Sequence, residues 1–377
     1  MLESYKGQWI GTSKSGSYCI VNFDDKKGVI NGRVAVFETV ILDGKTFSYC
    51  SWAYFIVTVQ NEGEISGEVS IPSIHSQDGE LLADEKLRAF QEMANLDLPS
   101  ATSFKGSKDG QYHLNIEWNS VYPSGNERTD SVCLEKKRLG GSVIRHEEMC
   151  WSKFKEFIST QEDGYIYRGQ ARCWRLQTSY HRTGNADLIS YLDEKVPELE
   201  NYINAYSKHV YDSSNDRSLG ALLNLAQHHG YPTPLLDWTK SPYVASFFAF
   251  ENQKELKRNG NISVFVFNDL GWASMAGRNA IIRSPKLSVR TMELPGYGNP
   301  RVIPQQSITM FANMDDIESI IKTNENHSGE YLRAISIPVE ERDLAMRELA
   351  LMGITWGALF PGLDGICKQL GFRHFQA

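Results

Sequence analysis

Near residue 140 the hydrophobic pattern of this chain changes its period, and that change limits what it can fold into. Up to about Arg138 the apolar residues come in short runs rich in β-branched and aromatic side chains: Trp9-Ile10, Tyr18-Cys19-Ile20-Val21, Gly32 to Phe37 and Ala53 to Val59. Tyr112 to Trp118 alternates apolar and polar, the pattern of a half-buried strand. Asp43-Gly44, Glu62-Gly63 and Asp109-Gly110 supply turn chemistry between runs. From Asp84 to Leu96, by contrast, Leu87, Phe90 and Met93 recur at helical spacing. Residues 1–140 are therefore expected to form an antiparallel β sandwich or barrel with one inserted helix, acting as a recognition or regulatory unit.

Gly7-Gln8-Trp9 resembles the G-x-W of the first strand of lipocalin-like barrels, but three residues are few, and Trp9 is read as ordinary core. The stretch from Lys136 to Ser142 turns basic and then glycine-rich, which suits a linker.

Beyond it the pattern is mixed. Helices are expected over Glu148–Ser159, with Trp151, Phe154, Phe157 and Ile158 inward, and over Ala186–Val210. A third runs from a capping Ser218 to Gly230, and a fourth from Glu340 to Gly353. Strand-like runs lie at Tyr165–Tyr167, Ile262–Phe267, Ser307–Phe311, Tyr331–Ile337 and Ile354–Phe360. Without regular β-α alternation, residues 141–377 read as a mixed α/β unit in an α+β protein. A chain of 377 residues accommodates two such domains.

The formal charge of −7 argues against a general attraction to nucleic-acid phosphates. The six cysteines are scattered, with no metal-binding spacing, no basic-then-apolar leader opens the chain, and no apolar run reaches the length of a membrane span. A cytoplasmic protein without a metal or a membrane partner is expected.

Four clusters carry chemistry. Tyr165-Ile166-Tyr167-Arg168-Gly169-Gln170 delivers a guanidinium at a strand end; it suits phosphate or carboxylate, or equally a structural ion pair. In Gln227-His228-His229-Gly230-Tyr231-Pro232-Thr233-Pro234-Leu235-Leu236-Asp237-Trp238-Thr239-Lys240-Ser241-Pro242, two prolines stiffen a segment that presents Asp237, Trp238 and Thr239. A helix then begins with Ser241 as its cap, and its N-terminus makes an anion-binding rim; the plain alternative is a well-capped loop. Arg301 leads through Gln305-Gln306 into a strand, and Leu359-Phe360-Pro361-Gly362-Leu363-Asp364-Gly365 ends a strand in a turn with one acid.

In order and spacing these clusters resemble the bacterial FRG domain: Y-R-G-Q, then Q-H-x-G-x-P-T-x-L-L-D-W-T-x-S-P-x-V-A-x-x-F-A, then R-x-x-x-Q-Q-x-x-x-x-F, then L-F-P-x-L-D-G, from about Trp151 to Ala377. Pro234 stands where that pattern has Arg, and Ser307 where it has Gly. More distantly, Tyr167-Arg168-Gly169, Thr239-Lys240-Ser241 and Ala245 to Ala249 resemble the layout of arginine-specific ADP-ribosyltransferases. Gln305 and Gln306 occupy the place of the glutamate those enzymes use.

The resemblance implies an ADP-ribosyltransferase-like domain with NAD, as substrate, in a cleft between two small sheets. Arg168 would grip a phosphate or ribose, with Gly169 allowing close backbone approach and Gln170 beside it. Tyr167 or Trp238 would stack on a ring, Thr239, Ser241 and Arg301 would brace the site, and Gln306 would bond the ribose. Glutamine cannot take a proton, so Asp237, Asp364 or His228 would serve as base. It also implies transfer to a macromolecular acceptor, protein or nucleic acid, by a toxin or antiviral effector held in check by an inhibitory partner or antitoxin. The rival reading is a non-catalytic nucleotide- or protein-binding module; a hydrolytic nuclease finds no paired acids at metal spacing.

Overall fold

The computed structural model describes residues 4–26, 28–42, 44–61, 63–137, 140–251, 260–278 and 282–375, without the side chains at 60, 61 and 326–328. Asp43, Glu62, Arg138 and Leu139, named above in turns and linker, lie outside the described residues.

The first nine strands are β1 (Gly7–Thr12), β2 (Tyr18–Lys26), β3 (Val29–Leu42), β4 (Lys45–Asn61), β5 (Glu64–Val69), β6 (Ser73–Ser76), β7 (Ala101–Asp109), β8 (His113–Val121) and β9 (Glu127–Glu135). Eight of them pair antiparallel in the ring β1-β2-β3-β4-β5-β7-β8-β9, and Ile10 opposite Glu135 brings β9 back to β1. The open alternative, sandwich or barrel, resolves as a closed barrel, which leaves no free edge in the ring. β6 is added outside it, on the first half of β4. Trp9 is fully buried, as expected of a core residue, and with Phe23, Phe55 and Phe104 it forms a chain of edge-on rings.

The inserted helix α1 (Asp84–Ala94) is present, but its apolar stripe is not buried. Leu87 and Phe90 are half-covered and Met93 is exposed; Phe90 meets the Tyr49 ring edge-on at 5.4 Å. A helix outside a closed barrel has only the barrel rim to lie on, so helical spacing here marks the face that touches rather than a core.

The second unit follows with β10 (His146–Glu148), α2 (Trp151–Ser159), β11 (Tyr165–Gln170), α3 (Ser179–Arg182), α4 (Leu188–Ser190), α5 (Val196–Tyr206), α6 (Asp216–His228), β12 (Leu235–Thr239), α7 (Pro242–Glu251), β13 (Asn261–Asn268), β14 (Val289–Met292), β15 (Ser307–Ala312) and β16 (Leu332–Pro338), with further helices between and after. Its strands form one sheet, in the order β10-β16-β13-β11-β12-β15-β14. All neighbours are antiparallel except β10 and β16. Along β13, Ile262, Val264 and Val266 enter the core beneath α2 and α7, and Phe265 and Phe267 enter the opposite one with Trp238 and Trp272. Both faces are covered, which is why β13 reads as a continuous apolar run.

Three expectations about elements are corrected. Ile354–Phe360 is not a strand: Gly353 ends the preceding helix, the Thr355 side chain caps the next turn, and Trp356–Leu359 is helical. The cap of α6 is Asn215, whose side chain accepts from the Ser218 amide; Ser218 itself lies inside the helix. The helix expected over Ala186–Val210 starts at Leu188, passes through a π turn at Tyr191–Lys195 and ends at Tyr206.

The two units meet over polar contacts. The Asp24 carboxylate accepts from the amides of Ala186 and Asp187 at 2.6 and 3.2 Å, and Arg33 pairs with Asp187 at 3.2 Å. The expected linker is fastened on both sides: Lys136 donates to the Lys6 carbonyl, Lys137 pairs with Asp316, and Ser142 donates to Glu318. Loose glycine-rich composition is overridden here by its charged neighbours.

Candidate functional site

Between β11 and β12 the sheet almost parts, since a single residue pair, Tyr167 opposite Thr239, joins them. β11 is otherwise committed to β13 over its whole length, and β12 to β15. Past that pair the strands splay. The Arg168 guanidinium fills part of the opening and donates through Nη1 to the Asp237 carbonyl. A cavity of about 1030 Å³ opens there, with both strands in its walls.

Nine of the twelve residues expected at the site line this cavity: Tyr167, Arg168, Gly169, Gln170, His228, Asp237, Trp238, Thr239 and Arg301. Gln306, Ser241 and Asp364 do not. Gln306 is exposed in a left-handed turn (φ 48°), and it is Gln305 that lines the cavity. The Gln305 amide donates to the Leu359 carbonyl at 3.0 Å, and its own carbonyl accepts from the Thr239 hydroxyl at 2.7 Å. Ser241 caps α7, accepting from the Val244 amide at 3.2 Å, as its position before Pro242 suggested. Asp364 is exposed in the first turn of the last helix, Leu363–Phe375.

Inside the cavity several roles differ from expectation. Trp238 and Tyr167 are 2% and 5% exposed and belong to the two cores, so they form a floor and offer no ring face for stacking. A Cβ on Gly169 would lie 1.8 Å from the Ala245 carbonyl oxygen, so the missing side chain lets α7 lie on β11 instead of admitting a ligand. Thr239 holds the turn together, since its hydroxyl also accepts from the Ser241 amide at 3.0 Å.

Asp237 is positioned through a relay. The Thr233 hydroxyl donates to the Gln227 side-chain carbonyl, and the Gln227 amide donates to the Asp237 carboxylate. Such a chain fixes the carboxylate while leaving its second oxygen for other work. Nδ1 of His228 sits 2.7 Å from the Asn224 carbonyl oxygen. The Asn299 side-chain nitrogen lies 3.1 Å from the same Nδ1, so Nδ1 donates to the carbonyl when it carries the proton, leaving Nε2 basic, and accepts from Asn299 when it does not. Arg301 donates to the His228 carbonyl at 3.0 Å and lies over the Phe360 ring at 5.1 Å.

The sequence clusters missed five further lining residues, Ala171, Trp174, Arg175, Gln177 and Arg182, all from the irregular stretch after β11 or from α3. Arg175 is bound to Asp316 at 2.6 Å, and Arg182 donates to the Gln177 carbonyl at 2.7 Å. Trp174 is half exposed, with a large aromatic face at the cavity wall. Among the described residues the walls thus carry four guanidinium groups and a single carboxylate, Asp237. Desolvation lowers Arg168 to about 10, with the Arg182 charge adding to the fall and Asp237 opposing it, so Arg168 stays cationic at neutral pH. Its Nε is buried without a partner. A cationic, partly desolvated cleft with an unsatisfied donor suits an anionic ligand.

A family model described as the FRG domain matches residues 163–258, which span β11, the Asp-Trp-Thr segment and α7. No curated protein matches the chain. Two solved structures are similar over 36% of the chain: a redesigned beta barrel (12% identity, 95% of that chain, TM-score 0.20) and EF1p2_mFAP2b bound to DFHBI (11% identity, 100% of that chain, TM-score 0.21). At those scores they carry no argument about function.

Proposed function

We propose that the cleft binds NAD and transfers its ADP-ribosyl group to a macromolecular acceptor, with Arg168 as the anchor. The observation that carries this reading is the charge arrangement at the parted strands, four guanidiniums around one fixed carboxylate. Arg168, Arg182 and Arg301 would hold the pyrophosphate, and Trp174 would stack on a base or on nicotinamide. Rupture of the nicotinamide–ribose bond leaves an oxocarbenium-like ribose, which the negative charge of Asp237 would stabilise. The acceptor nucleophile then forms the new bond at that carbon, and His228 Nε2 would take its proton.

The binding-module reading keeps one observation in its favour. The place where the distant resemblance expects a glutamate is filled by Gln305, whose amide is already bonded to Leu359. The two separate in one experiment. Purified protein is incubated with adenylate-labelled NAD and a cell lysate, and free nicotinamide and macromolecular label are both measured. Transfer predicts both products, falling at least a hundredfold in Arg168→Ala with the thermal transition retained. Retention of NAD without release of nicotinamide selects the binding module in its nucleotide form, and absence of any NAD binding sinks both the transferase and that form.

A further inference from the structure

The barrel encloses a second cavity, of about 580 Å³, which shares no lining residue with the cleft of the C-terminal unit. Protein interiors are normally filled to crystal-like density, and an eight-stranded barrel is just wide enough either to pack its side chains or to hold one small molecule. The lining is graded from end to end. Along β4 the cavity wall reads Tyr49, Ser51, Ala53, Phe55, and along β9 it reads Arg128, Asp130, Val132. The floor is aromatic, with Phe55 edge-on to Phe23 and Phe104 at 5.1 and 5.7 Å. Hydroxyls and charges gather at the other end.

Those charges are set rather than scattered. Tyr49 and Ser51 hydrogen-bond the Glu38 carboxylate. Asp130 accepts from the Ser15 hydroxyl at 2.6 Å and from the Ser131 amide at 2.7 Å. Arg128 lies over the Tyr122 ring at 5.0 Å and is, among the described residues, the one guanidinium of a lining that holds three carboxylates, Glu38, Asp97 and Asp130. Desolvation raises the Glu38 carboxyl, the neighbouring Asp130 adds to this, and the Tyr49, Ser51 and Arg128 interactions oppose it. An added cation at this end would meet a carboxylate already held in place, whereas an anion would meet a lining in which three carboxylates outnumber one guanidinium.

We infer that the barrel is a binding site for a small amphipathic cation, with a flat apolar body on the Phe23-Phe55-Phe104 floor and a protonated nitrogen at Glu38. Gln8, Asp24, Arg33 and Lys136, which face the C-terminal unit, are absent from the lining, so occupancy needs no change at that contact.

The test uses the full-length chain with two dyes, the planar cation thioflavin T and the anion 8-anilinonaphthalene-1-sulfonate. Thioflavin T is expected to bind one per chain, with a change in Trp118 emission, since that indole lines the cavity. Glu38→Gln should weaken thioflavin T at least tenfold, and Ala53→Phe, which fills the cavity, should abolish its binding. If Ala53→Phe does not fold, Val36→Phe serves the same purpose. No saturable thioflavin T binding up to millimolar concentration overturns the proposal. Binding that is indifferent to Glu38→Gln or to the filling variants overturns it too, as does a preference for the anionic dye that the filling variants remove.

Discussion

At Gly169 the requirement is space rather than conformational freedom. An added methyl would sit 1.8 Å from the Ala245 carbonyl oxygen, a backbone atom with no rotamer to give way. Gly169→Ala is therefore expected to cost about 1–3 kcal/mol, seen as a lower thermal midpoint, because α7 must lift from β11. At Gln227 the requirement is hydrogen bonding, since its amide holds Asp237 and its carbonyl accepts from Thr233. Gln227→Leu strands the buried Thr233 hydroxyl, so it should cost about 1–3 kcal/mol of stability, and it should weaken turnover, or nucleotide binding, at least tenfold in the assay above. Arg168, Asp237 and Arg301 were legible because each follows or sits within a motif of fixed spacing. Gln305 and Gln306 were not separable, because an irregular turn precedes β15 and only the backbone shows which one faces in. Arg175, Arg182 and Trp174 escaped because no periodicity governs the stretch that carries them.

Elements were legible wherever a long run kept one period, as in β13 and β16. The failures fall on short apolar stretches, where strand and helix share a composition. Thr355 settles Ile354–Phe360 by capping the turn that follows it, a signal hidden by the aromatic residues beyond. The α6 terminus offers a direct check of which polar residue starts the helix. Asn215→Ala should destabilise by about 1 kcal/mol, the usual cost of a lost cap, as followed by denaturant unfolding. Ser218→Ala removes a different bond, from the Asp212 amide to the Ser218 hydroxyl, in an exposed loop, and should cost less. The barrel itself was within reach of the sequence, but closure depends on β9 finding β1, a pairing that local pattern does not encode.

For the whole molecule the contact between the two units carries a charge burden. Asp315 receives the Gln8 amide at 3.4 Å on one oxygen, while the other is buried without a partner. Desolvation, reinforced by Asp316 and Asp24, pushes its carboxyl up to about 7, against the pull of Gln8 and Lys136. The unfolded carboxyl titrates near 3.8, so between there and about 7 the folded chain binds a proton that the unfolded chain does not. The contribution of this group to stability is greatest at the acid end of that window and declines as pH rises through it. Asp315→Asn keeps the shape without the charge. It should raise the thermal midpoint at pH 8 and shrink the difference between pH 5 and pH 8. The C-terminal unit raises a mechanical question instead. Two stiff plates riveted at one rung, Tyr167 against Thr239, resist shear along the strands far less than a continuous ladder would. Anything gripping both plates at once would tighten the rivet, and its backbone amides would then exchange with heavy water more slowly than in the empty protein.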